Sequence, residues 1–163
     1  MQRINIITAM SENRAIGINN RLPWHLPGDW ENFHRVTAGK VFLMGRKSYN
    51  AKDALLSEHR NVVVSRQPGL HLAPNAQQAT SIAEAMTLLA NEPEFFILGG
   101  AEIFSQTLQM ANYFYRTLVH AQVEGDAFFP EVDWSQWELV SSEYHEADAR
   151  HEYAFSLEEW RKR

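Results

Sequence analysis

Asp29 is the carboxylate whose neighbours suggest chemistry. It falls in the first turn of a helical segment that opens at Pro27, beside Trp30 and four residues before Phe33, so it shares a face with aromatic rings. In an apolar cleft, desolvation pushes such a carboxyl's pKa up and prepares it to pair with a cationic, amidine-like heterocycle. An acid in a first helical turn also simply suits the helix dipole.

Two glycine turns offer a second kind of chemistry. Gly45-Arg46-Lys47-Ser48 follows the apolar run Val41–Met44, and Gly99-Gly100-Ala101-Glu102 follows Phe95–Leu98. Glycine lets a phosphate approach the backbone, and a helix start presents free N–H groups. Neither turn is a GxGxxG or Walker sequence, and either alone reads equally as a tight strand–helix turn with solvated cations. On adjacent strand–helix units they point to a phosphate-rich cofactor lying across a sheet. Ser65-Arg66 ends the Val62–Val64 run, where an arginine can grip a terminal phosphate bidentately. With a nicotinamide dinucleotide, Arg66 argues for the 2′-phosphorylated form.

Other chemistries lack their residues. The 7 histidines show no HExxH or i,i+4 pairing, so no metal site is expected, and no GxSxG elbow supports a serine hydrolase. Zero cysteines exclude thiol chemistry and disulfides and fit a reducing compartment. The formal charge of −5 comes without a basic stripe, so nucleic acid is not an expected partner. No apolar run is long enough to cross a bilayer, and Asn5 interrupts the apolar stretch at the N-terminus, so a cytoplasmic domain is expected.

The elements that must position these residues follow from pattern. At 163 residues and 45% hydrophobic, one domain over 1–163 is expected. Ile4–Ala9 reads as a strand, and residues 11–27 as a long irregular loop holding Gly17, Asn19-Asn20, Pro23 and Pro27. A helix follows to the Gly39 stop. Val41–Met44, Asn61–Ser65 and Phe95–Leu98 are further strands. Ser81 with Glu84 forms a capping box that opens a helix to about Asn91, and another helix runs over roughly 102–109. Tyr113–Val123, Trp137–Tyr144 and Glu152–Trp160 are strand-like without intervening helices. The expected fold is α/β: a mostly parallel central sheet of about eight strands, antiparallel at its C-terminal edge, flanked by about four helices.

At these residues the chain resembles the bacterial dihydrofolate reductases over nearly its full length. The carrying segments are Ile16-Gly17, Leu22 through Asp29, Met44 through Ser48, Val64 through Gly69, Leu98 through Phe104, and Val123 through Asp126 with Phe129-Pro130. The resemblance implies NADPH-dependent reduction of dihydrofolate to tetrahydrofolate by a cytoplasmic monomer, with the adenosine-binding part at roughly 40–92. Asp29 would hold the 2-amino-4-oxo edge of the pterin, supported by Thr117. Ile7, Thr8, Trp30, Phe33, Leu56 and Leu98 would line the substrate pocket. Leu22 and Trp24 would belong to a loop closing over the nicotinamide, contacted also by Ala9, Ile16 and Gly17. Gly45, Arg46, Lys47 and Ser48 would meet the pyrophosphate and adenosine side, with Gly99, Gly100, Ala101, Glu102, Ile103 and Phe104. Ser65 and Arg66 would take the 2′-phosphate, and Gly99-Gly100 matches a pair joined by a cis peptide in the family.

The stretch 51–60 departs from the family. Relatives carry an arginine that clamps the α-carboxylate of the folate glutamate, and His59 stands in its place. A neutral imidazole makes no bidentate clamp. Lys52 or Arg60 is a substitute on sequence grounds. Two rival readings follow: a reductase of another reduced pterin or pyrimidine lacking the glutamate tail, and a pterin- or NADPH-binding module without turnover. The presence of Asp29, Leu22, Trp24 and Thr117 together disfavours the second.

Overall fold

Runs such as Val41–Met44 put apolar side chains on both faces of a strand, which demands a sheet covered on both sides. The computed structural model, which describes residues 2–163, contains such a sheet. In chain order the elements are β1 (Arg3–Ser11), β2 (Ala15–Gly17), α1 (Pro27–Thr37), β3 (Val41–Gly45), α2 (Arg46–Tyr49), β4 (Arg60–Val64) and β5 (Ala76–Ala79). Then come α3 (Ile82–Leu88), β6 (Glu94–Ile97), α4 (Ala101–Thr107), β7 (Tyr113–Val119), β8 (Ala127–Phe128), β9 (Trp137–His145) and β10 (Phe155–Lys162).

Eight strands form one sheet in the order β5-β4-β3-β6-β1-β7-β10-β9. Pairings from β5 through β7 are parallel, while β10 runs antiparallel to both β7 and β9. The expected architecture and its antiparallel edge are therefore present.

Alternation along the strands assigns the two faces. Val41 and Leu43 of β3, Phe95 and Ile97 of β6, and Ile6 and Met10 of β1 pack with Ile82, Ala85, Ile103 and Phe104 of α3 and α4. The intervening Phe42, Met44, Phe96 and Ile7 pack on the other side, with Phe33 and Val36 of α1. Helix α1 thus lies over the opposite face from α3 and α4.

The structure differs from the sequence expectation in three places. The loop over 11–27 contains β2, which pairs antiparallel with β8 as a separate ribbon. Strand β5, Ala-Gln-Gln-Ala, extends the parallel sheet beyond β4, and its polar middle gives no strand signal. The capping box is half made: Ser81 accepts the N–H of Glu84, but the Glu84 carboxylate bonds to the Thr80 hydroxyl instead. Among the described residues no helix is long and apolar enough to cross a membrane.

Candidate active site

Parallel α/β sheets leave a crevice beyond the carboxyl ends of their strands. Here that crevice is a cavity of 720 Å³. β1 contributes Ile7, Thr8 and Ala9, β3 contributes Met44, the end of β6 contributes Leu98, and β7 contributes Thr117. Helix α1 lays Asp29, Trp30 and Phe33 along one wall.

Pro27 opens α1 at a position where its missing N–H costs nothing, and this brings Asp29 into the first turn facing β7. The Thr117 hydroxyl donates to Asp29 Oδ1 at 2.6 Å. Burial pushes the Asp29 carboxyl up to about 6, against the lowering influence of that hydrogen bond. At neutral pH it is therefore mostly ionised, yet close enough to its pKa to respond to a bound cation. Three further acids line the same cavity, but each is committed. Asp53 accepts the N–H of Leu22 at 2.9 Å, Asp126 that of Asn19 at 3.0 Å, and Glu158 bonds Arg116 at 2.7 Å.

On the opposite wall, β3 runs into α2 and β6 into α4. Both helices begin at a glycine, Gly45 and Gly100, and neither has a side-chain cap, so their first N–H groups are left for an anion. Arg46, Lys47, Ser48, Gly100, Ala101 and Phe104 line the cavity there. The two turns are joined beneath it, Gly45 donating its N–H to the Gly99 carbonyl at 2.8 Å. The Gly99–Gly100 bond is cis, and Gly99 has φ +103 with the Phe104 ring 2.8 Å from where a Cβ would stand, so only glycine fits.

β2, through Ile16 and Gly17, and the segment between it and α1, through Leu22, roof the cavity. Besides the bonds to Asp53 and Asp126, that segment is tied by Asn20 Nδ2 donating to the Lys47 carbonyl at 3.0 Å.

Several expected site residues lie elsewhere. Trp24 is buried with Ala9, Leu26, Val119 and Phe155 rather than on the cavity wall. Leu56 is 42% exposed, and its neighbour Leu55 lines the cavity instead, because the irregular chain after α2 turns the adjacent side chain inward. Lys52 and His59 are exposed and do not line it. Arg60 points the other way, bonded to Glu92, Gln77 and the Leu88 carbonyl. Gly45, Gly99 and Ile103 act from behind the wall, Ile103 packing at 3.0 Å from a Cβ placed on Gly45. Glu102, Ser65 and Arg66 sit outside the cavity, the last two at the end of β4. Asn20, Arg21, Asn32, Asp53 and Asp126 line it without having been singled out. Of these only Asp126 carried a signal, through the Val-Glu-Gly-Asp segment.

Comparison with known proteins agrees with this geometry. A sequence model of the family described as dihydrofolate reductase matches residues 3–162. The dihydrofolate reductase of Bacillus subtilis (strain 168) is 35% identical over 94% of this chain and 91% of its own. That of Neisseria meningitidis serogroup B is 39% identical over 95% of this chain and 96% of its own. The solved dihydrofolate reductase from Enterococcus faecalis, complexed with NADP(H) and RAB-propyl, superposes with a TM-score of 0.88 at 30% identity, covering 98% of this chain and 96% of that one. With a match over nearly its whole length and a shared architecture, the chain belongs to the dihydrofolate reductase family.

Proposed function

We propose that this chain reduces 7,8-dihydrofolate to tetrahydrofolate with NADPH, and that Asp29 is the acid holding the pterin. The observation that carries the role of Asp29 is its position. Of the four acids on the cavity wall, it alone is bonded to no backbone amide or cation; its one side-chain partner, the Thr117 hydroxyl, leaves it ionised but displaceable. A carboxylate accepts two parallel N–H bonds from a 2-amino-4-oxo edge and favours the protonated ring.

The wall opposite Asp29 fits a dinucleotide. Two uncapped helix starts, glycine at each, and the Arg46, Lys47 and Ser48 side chains supply N–H groups, positive charge and a hydroxyl for a diphosphate. Ser65 and Arg66 at the end of β4 extend this toward a 2′-phosphate. NADPH bound there supplies the hydride. Ile7, Thr8, Phe33 and Leu98 exclude water from the reacting faces, and the Leu22 segment covers them. Asp29 raises the basicity of the ring nitrogen that water protonates.

One domain carries both sites, with residues 40–92 on the adenosine side. We infer a cytoplasmic monomer: the absence of cysteine fits a reducing compartment, and light scattering tests the mass. The test of function is NADPH oxidation with dihydrofolate, repeated for Asp29→Asn. Loss of most hydride transfer at neutral pH is expected, and near-normal turnover would overturn the role of Asp29.

A second reading concerns the substrate's tail. Lys52 and His59 stand off the cavity, and Arg60 is spent on Glu92, so the 51–60 stretch presents no preformed clamp for a glutamate carboxylate. Dihydropterins without the glutamate should then serve nearly as well as dihydrofolate. His59→Arg should lower the KM for dihydrofolate about tenfold, a charged hydrogen bond's worth, and leave the tail-less substrate unchanged. Equal KM values in both proteins would refute this.

A further inference from the structure

Helix α1 carries Asp29, yet its N-terminus is capped from far away in sequence. Its N-cap residue, Leu26, has no side chain able to bond the first turn, and Pro27 has no N–H. Asp29 donates its N–H to the Leu26 carbonyl at 3.0 Å. The Gly28 N–H donates to His151 Nε2 at 2.9 Å, across 123 residues. Because an N–H can only donate, Nε2 must be the unprotonated nitrogen. The ring proton is then on Nδ1, which donates to Asp148 Oδ1 at 2.8 Å. Asp148 is held in turn by the N–H groups of Arg150 and His151, both at 2.9 Å.

We propose that His151, oriented by Asp148, is a positioning residue for the Asp29 carboxylate, acting through the Gly28 amide. The approach is close by construction. A Cβ on Gly28 would stand 3.1 Å from His151 Nε2 and 2.9 Å from the Phe155 ring, so the contact exists only because that residue is glycine. His151 is 8% exposed, and its ring lies 5.2 Å from that of Phe155. Strand β10, which follows this turn, also pairs Leu157 with Thr117, the residue that bonds the Asp29 side chain. The same β-hairpin thereby fixes the helix turn behind Asp29 and the strand in front of it. An aspartate–histidine pair often serves a nucleophile, but here its third member is a backbone amide, and its role is to orient.

The arrangement requires a neutral imidazole. Protonation removes the acceptor and sets a cation at a helix N-terminus. The charged groups around the ring are Asp148 on its own turn, the Arg150–Glu31 pair joining that turn to α1, Glu152 beside it, and His145 with Glu143 on β9, His145 stacked on Phe155.

The inference rests on Asp29 being the pterin acid, and the test separates the two. Nitrogen-15 spectra of the ligand-free protein should show His151 Nε2 unprotonated and Nδ1 protonated near neutral pH; the opposite tautomer would overturn the proposal whatever the substrate. Single-turnover hydride transfer from NADPH to dihydrofolate, followed against pH, should slow about fivefold in His151→Ala, the order of a lost helix cap, with the apparent pKa of the step displaced. His151→Gln, whose amide can accept from Gly28 and donate to Asp148, should restore both rate and pKa. A merely structural histidine would lower stability in His151→Ala and leave the pKa in place, which would refute positioning. Absence of hydride transfer in the unaltered protein would instead sink the role of Asp29 and leave the tautomer result standing.

Discussion

Asparagine at position 29 separates what the carboxyl costs the fold from what it does for the reaction. Burial raises the Asp29 pKa from 3.8 to about 6, so the folded protein holds that proton more tightly than the unfolded chain. The stability it contributes is complete below about pH 4 and is lost as pH rises through about 6. A displacement of that size corresponds to about 3 kcal/mol, an upper figure because the carboxyl borders a cavity wide enough for water. Asparagine keeps an oxygen for the Thr117 hydroxyl and has no charge to desolvate. Asp29→Asn should therefore outlast the unaltered protein at about pH 8 by about 2–3 kcal/mol, or about 5–10 °C in Tm, with the advantage shrinking toward about pH 4. The same variant should lose about a hundredfold or more in hydride transfer. Urea titrations of the ligand-free proteins across that pH range measure the difference directly. A difference that does not change with pH would refute the reasoning, because it would mean that the carboxyl is not desolvated.

Thr117→Val removes the hydroxyl that favours the ionised form of Asp29, so the carboxyl pKa should climb above about 6; a carbon-13 titration of that carboxyl reads it, and no movement would show the bond to be idle. Gly28→Ala drives a Cβ to 2.9 Å from the Phe155 ring and should cost about 1–3 kcal/mol in thermal unfolding. Asp53→Ala takes away the acceptor of the Leu22 N–H, and hydrogen exchange at that amide should quicken about fivefold while β1 keeps its protection. Unchanged exchange at Leu22 would mean that the cover over the cavity is held by other bonds.

The legible part of the fold is the part where hydrophobic burial dictates residue type. Val41–Met44 and Phe95–Leu98 had to lie between two helical layers, and their side chains divide face by face as the alternation requires. That Asp29 and the two glycine turns border one cavity was legible because each sits at a strand end or a helix start. Strand β5 was not, since Gln77 and Gln78 satisfy a parallel ladder through backbone alone. Leu55 against Leu56 was not either, because an irregular segment has no period from which to count. Trp24, next to the chemistry in sequence, turns into a cluster with Phe155 that sequence distance conceals. The bond from Gly28 to His151 belongs to tertiary structure entirely, with 123 residues between its ends.

The place of β1 in the sheet has a consequence for how the chain assembles. It lies between β6 and β7, pairing Arg3 with Glu94 and Asn5 with Tyr113, so this strand, once made, waits for partners synthesised some ninety residues later and beyond. Closing such long loops is slow, and until it happens Ile6 and its neighbours are exposed to the solvent. Because Ile7, Thr8 and Ala9 belong to that strand, the catalytic crevice is among the last features to appear during synthesis. Ligand capture by a nascent or refolding chain should therefore mark the docking of β1 between β6 and β7.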